Sequence, residues 1–105
     1  LQVLVAEHAA ENQRQEVLRI LGDARDRWEL AAMTHDIARQ LNTNAEQALE
    51  IAEARYRSGA MNALDLREVQ LQALRAAQQE FTALQGWLAA DVELDRLAGE
   101  WGQKE

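Results

Sequence analysis

The chain predicts an all-α fold, a long antiparallel helical hairpin of coiled-coil type. Three observations carry that expectation. Its 105 residues include no proline and no cysteine, and Ala, Leu, Glu, Gln and Arg dominate, all good helix formers. Ala24, Ala31, Ala38, Ala45 and Ala52 recur every seven residues, as do Val69, Ala76, Ala83, Ala90 and Leu97, the period of a left-handed supercoil. Between the two runs the pattern stops at Gly59 and restarts beyond Asn62.

The elements follow in order. The first helix is expected over about 1–57, with Gly22-Asp23 as its one suspect interior point, since glycine there costs ~1 kcal/mol relative to alanine. The tip is expected over about 58–62. Gly59 suits the residue just past a helix end because it reaches φ > 0 without a Cβ clash. Asn62 suits an N-cap, and Asp65 places an acid among the free amides of the next helix. The second helix is expected over about 63–98, ending near Gly99 and Gly102. One helical-hairpin domain accounts for residues 1–105.

Folding at the tip sets the alanine columns face to face: Ala52 with Val69, Ala45 with Ala76, Ala38 with Ala83, Ala31 with Ala90. Small residues let the axes approach near the lower end of ~8–10 Å. Neighbouring columns carry Leu21, Trp28, His35, Asn42, Leu49 and Tyr56 on one helix. The other helix offers Leu66, Ala73, Glu80, Trp87, Leu94 and Trp101. Antiparallel pairing brings Tyr56 to Leu66, Leu49 to Ala73, Trp28 to Leu94, and Asn42 to Glu80 as a polar layer that sets register.

A third set is left over: Leu30, Met33, Ile37, Leu41 and Ile51, with Leu71, Leu74, Phe81 and Leu88. One hairpin has one internal seam, so these residues stay exposed, and apolar patches of that size mark partner surfaces. Self-association into a helical bundle through the Leu30, Ile37, Phe81 and Leu88 face is expected, or burial against neighbouring hairpins.

The formal net charge of −7 argues against nucleic acid and anionic membrane surfaces. No apolar run approaches the ~20 residues of a membrane span, so this piece is expected to be soluble. Leu1–Ala6 is too short for a signal peptide and lacks a basic flank. The chain starts without Met, as a piece of a longer protein would.

No metal, cofactor or catalytic role is expected. His8 and His35 lack the Glu-x-x-His and His-Glu-x-x-His contexts of metal sites. His8 with Glu7 and Glu11 reads as a solvated face, and His35 as a hydrogen-bonded seam residue. No nucleophile stands with a base and an orienting group. Carboxylates at helical spacing from arginine, Asp23 with Arg27 and Glu53 with Arg57, read as surface ion pairs. Trp28, Trp87 and Trp101 read as packing residues.

The tip also supports a family comparison. Arg55-Tyr56-Arg57-Ser58-Gly59, then Leu64-Asp65-Leu66 and Glu68-Val69-Gln70, resembles the outer membrane efflux protein family, the TolC-like channels. The long Ala-Leu-rich second helix and the Leu97-Ala98-Gly99-Glu100-Trp101 segment extend the likeness, which covers roughly Ala24 to Trp101 and favours the C-terminal repeat of such proteins.

The resemblance implies one helical hairpin of a periplasmic duct wall in a trimeric, Gram-negative outer-membrane channel. The parent is then membrane-embedded, and its partners are a periplasmic adaptor and an inner-membrane pump. It also implies an adaptor-docking tip of Tyr56, Gly59, Ala60, Met61, Asn62 and Leu64. Asp65 and Glu68 fall where some members place acids at the aperture, favouring cations; Asp65 equally fits a plain helix N-terminal acid. Met61 departs from a basic residue several members carry, which removes any charge latch built on it. The alternatives are a periplasmic adaptor hairpin, itself a coiled coil, or a generic structural coiled-coil module.

Overall fold

The computed structural model describes the backbone of residues 2–102 and the side chains of residues 3–100. The described residues form two helices, α1 (Gln2–Arg57) and α2 (Ala63–Gly102), joined by one tight turn. This is the all-α hairpin that the seven-residue columns predict. Among the described residues there is no strand. α1 runs through Gly22 without a break, and α2 continues past Ala98 through Gly99 to Gly102. A lone glycine weakens a helix by ~1 kcal/mol, which the flanking Ala, Leu and Arg residues outweigh. The expected packing of Trp101 lies outside the described side chains.

The chain divides into two compact units. The tip unit holds residues 31–87. On its α1 side Ala31, His35, Ala38, Asn42, Ala45, Leu49 and Ala52 are buried or half-buried. On its α2 side Leu66, Val69, Ala73, Ala76, Glu80, Ala83 and Trp87 are half-buried. The spacing alternates three and four, as a heptad seam requires. Ala52 is the most enclosed, 2% exposed, because a methyl group leaves no room between close-set axes.

Two contacts between the helices of this unit fix its register. Asn42 Nδ2 donates to Glu80 Oε2, the polar layer expected from the columns. Seven residues back on α1 and seven on along α2, the rings of His35 and Trp87 stack at 5.3 Å and 20°. His35 was expected to be hydrogen-bonded in the seam. It stacks instead, and makes no hydrogen bond among the described residues; the flat indole opposite it offers a face rather than an acceptor. Tyr56 does not extend the column. It is 46% exposed, since it lies in the last turn of α1, where the chain begins to reverse.

The second unit holds residues 1–30 and 88–105. Ala24 and Leu97 are buried there, and Leu21, Trp28, Ala90 and Leu94 are half-buried. Trp28 Nε1 donates to Asp91 Oδ1 at 3.0 Å, and Arg27 reaches Glu93 at 3.8 Å. The ion pair expected within α1, Asp23 with Arg27, is therefore replaced. Asp23 pairs with Arg19 at 3.1 Å, while Arg27 turns toward the carboxylate on α2. The other expected pair, Glu53 with Arg57, does not form. Glu53 is half-buried beside the seam, and Arg57 sits at the C-terminal end of α1, where the helix dipole already favours a cation.

Candidate functional site

The tip is built from backbone geometry outward. At the end of α1 the Ala60 N–H donates to the Arg55 carbonyl at 2.8 Å, and the Gly59 N–H to the Tyr56 carbonyl at 3.1 Å. This pair of bonds is a Schellman motif, which satisfies carbonyls that a helix end leaves free. It needs one residue in the left-handed region. Gly59 supplies it with φ +82°, and no other described residue has positive φ. Four residues later, at Ala63, α2 starts. Asn62 Oδ1 accepts the Asp65 N–H at 2.8 Å, and the Asn62 carbonyl accepts the Leu66 N–H at 3.1 Å. Asn62 is thus a working N-cap.

Both helix ends are closed by their own chain, so the tip is rigid and its side chains are free to face outward. Leu64 is 77% exposed, the most exposed large apolar residue described. Ala60, Asn62, Asp65 and Glu68 are exposed, and Met61 is half-buried. A shallow surface hollow of about 280 Å³ is lined by Ala63, Leu64 and Arg67. Arg55 and Arg57 occupy the last turn of α1. With Arg67 they form no ion pair among the described residues. The sequence pairs Arg57 with Glu53 and counts Arg55 in the tip motif, and it gives Arg67 no role.

The remaining candidates are placed as follows. Leu30, Ile37, Phe81 and Leu88 are all exposed, Ile37 and Phe81 in the tip unit, Leu30 and Leu88 in the other. His8, Glu7 and Glu11 are exposed on α1, and among the described residues no group of three or more His, Cys, Asp or Glu side chains converges for a metal. An open groove of about 380 Å³ runs beside the seam of the tip unit, lined by Thr34, Arg75, Gln78, Gln79, Thr82 and Ala83. No described helix is long and apolar enough to cross a membrane.

A long seven-residue seam, a glycine-closed reversal and an exposed apolar tip are now placed on one chain. The family model described as outer membrane efflux protein matches residues 1–100. The chain belongs to the outer membrane efflux protein family. No curated protein and no solved structure gives a significant match. The family match spans both helices and the tip, so it rests on more than coiled-coil composition, and it sets aside the adaptor hairpin and the generic coiled coil. As an outer membrane efflux protein, the chain is a component of a transport channel of the outer membrane rather than of an enzyme.

Proposed function

We propose that this hairpin forms part of the periplasmic α-helical duct wall of a trimeric Gram-negative outer-membrane channel. Its tip faces a periplasmic adaptor, which connects the duct to an inner-membrane pump. The observation that carries this reading is the tip of a family member closed by its own hydrogen bonds, with Leu64 protruding. An exposed leucine on a rigid turn loses little conformational freedom when a partner covers it. Tyr56, Gly59, Ala60, Met61, Asn62 and Leu64 form the docking tip. Glycine and asparagine hold its shape, and Met61 and Leu64 supply apolar contact. Asp65 and Glu68 project exposed carboxylates at the same end, where they favour passage of cations.

The test uses the full-length parent channel with cysteine at Leu64. Disulfide or short bifunctional crosslinking to a cysteine-scanned adaptor tip is expected to give a channel–adaptor adduct. The control is cysteine at the enclosed Ala38, which is expected to give none. Adducts from Ala38 alone, or from neither site, would overturn the docking assignment. For the aperture acids, Asp65→Asn with Glu68→Gln in the same channel is expected to lower cation over anion selectivity in single-channel recordings. Unchanged selectivity leaves Asp65 as a helix N-terminal acid only.

A further inference from the structure

Glu80 is the one acid in the heptad columns of the tip unit. It is half-buried, and its neighbours three and four residues away on α2 are Ala76, Ala77, Ala83 and Leu84. None of these side chains is a cation or a hydrogen-bond donor. Glu80 makes no ion pair among the described residues. Its hydrogen bond is the one it accepts from Asn42 Nδ2. The other end of that amide is unmet: Asn42 Oδ1 is closed to solvent and accepts no hydrogen bond among the described residues. The layer therefore joins a carboxylate, which can only accept, to an amide whose own acceptor lacks a donor.

A closed acceptor is costly to leave without a donor, and few donors are in reach. Backbone N–H groups at this level are committed within α1 and α2. The next seam residues along each helix, Ala38 and Ala45, Ala76 and Ala83, have no polar side-chain atom. The carboxyl of Glu80 becomes a donor once it carries a proton. We propose that the Asn42–Glu80 layer is an acid-responsive lock: one proton taken from solvent lets Glu80 donate to Asn42 Oδ1, so that acid and amide pair head to head through two hydrogen bonds. Both groups are planar, and each then presents one donor beside one acceptor.

The charges around the layer leave it to respond alone. On α1, Arg39 lies three residues before Asn42 and Glu46 four after; both are exposed, and Arg39 pairs with Asp36 at 2.9 Å. His35 lies one heptad away, stacked on Trp87. On α2, Glu80 is the only charged residue between Arg75 and Asp91, and Arg75 lines the open groove. The second hydrogen bond exists only in the folded chain. The lock therefore strengthens as pH falls through the carboxylate range and weakens as pH rises. A slip of one heptad must then break two bonds rather than one, so acid also tightens the register.

The experiment follows urea unfolding of the 105-residue chain against pH, at a concentration where the midpoint no longer depends on concentration. Glutamine has the shape of the protonated acid and carries a permanent donor. At neutral pH Glu80→Gln is expected to lower the unfolding constant roughly threefold to tenfold, the worth of one neutral hydrogen bond. The gap to wild type is expected to close as pH falls, because wild type gains the same bond. In an Asn42→Ala background the gain is expected to vanish, which separates the lock from mere loss of a negative charge. By NMR the Asn42 side-chain amide protons are expected to shift with pH in wild type and to stay fixed in Glu80→Gln. Equal stability of Glu80→Gln and wild type at neutral pH, a gain that survives in the Asn42→Ala background, or an Asn42 amide that ignores pH in wild type would each overturn the proposal. If Glu80→Gln alters helicity by circular dichroism, Asn42→Ala alone decides: its deficit relative to wild type is expected to widen as pH falls, and a constant deficit would overturn the lock.

Discussion

Asn42 donates from its side-chain amide to the Glu80 carboxylate across a seam in which alanine recurs every seven residues. A repeat of alanines every seven residues is nearly indifferent to a slip of one heptad, because alanine then meets alanine again. The polar layer is not indifferent, since a slip separates donor from acceptor. Truncating one partner, as in Glu80→Leu, is expected to cost ~1–3 kcal/mol by leaving the other polar group half-buried without its bond. The double variant Asn42→Leu with Glu80→Leu is expected to recover most of that loss. Urea unfolding gives the stabilities. Disulfide trapping between cysteines at Ala38 and Ala83, and at Ala38 and Ala76, gives the register. A double variant that traps only the Ala38–Ala83 pair would refute the register role.

Glycine to alanine is expected to change sign with position. At Gly59 the φ of +82° places a new Cβ in the left-handed region, at a cost of ~1–2 kcal/mol. Gly86 lies inside α2, and an added Cβ there meets nothing within 4 Å. Gly86→Ala is therefore expected to stabilise by ~1 kcal/mol. Thermal and urea unfolding of the two variants check this. Equal shifts would mean that the turn does not depend on its backbone conformation.

Asn62→Ala is expected to destabilise by ~1 kcal/mol, because the Asp65 N–H loses its acceptor. Asn62→Asp is expected to retain most of the stability. Hydrogen exchange of the Asp65 amide localises the effect: it should quicken in the alanine variant and stay slow in the aspartate one. An unchanged exchange rate in Asn62→Ala would contradict the cap.

Glu16 on α1 is hydrogen-bonded to the Arg19 guanidinium, and that bond, then the attraction of the charge, holds its carboxyl below the ordinary value. Arg19 is raised in turn, chiefly by the hydrogen bond to Glu16. In the folded chain Glu16 releases its proton at lower pH than in the unfolded chain. Its contribution is present above the unfolded carboxylate pKa and is lost as pH falls through the folded one. Both groups are fully exposed, so the effect is small and salt-sensitive. An NMR titration is expected to place the Glu16 midpoint below that of the same residue in an Arg19→Ala variant, which lacks the arginine partner. Raising the salt concentration should close the gap; coincident midpoints at low salt would count against the pair.

The tip was legible because its requirements are local. A glycine that must adopt positive φ, and an asparagine that must cap, announce themselves within about eight residues of chain. The polar layer was legible too, since a heptad column counted from a known turn gives the level of every residue. The arginines were not. Arg27 lies four residues after Asp23, yet it pairs with Glu93, because an exposed ion pair is too weak to choose between a helical neighbour and one across the seam. His35 fell to the same limit: its column was evident, while its stacking on Trp87 depended on the ring across from it.

The sequence by itself determined the helices, the reversal at Gly59, the seven-residue seam and the family resemblance at the tip. Each depends on backbone conformation or on periodicity, and both are written along the chain. Only the tertiary structure decided that Arg27 turns to Glu93, that His35 stacks on Trp87, and that Leu64 stands exposed beside Arg67. Those facts depend on the side of each helix that turns toward the other. Periodicity alone fixes such directions for one helix but not for two, until contacts such as the Thr34 groove tie their faces together.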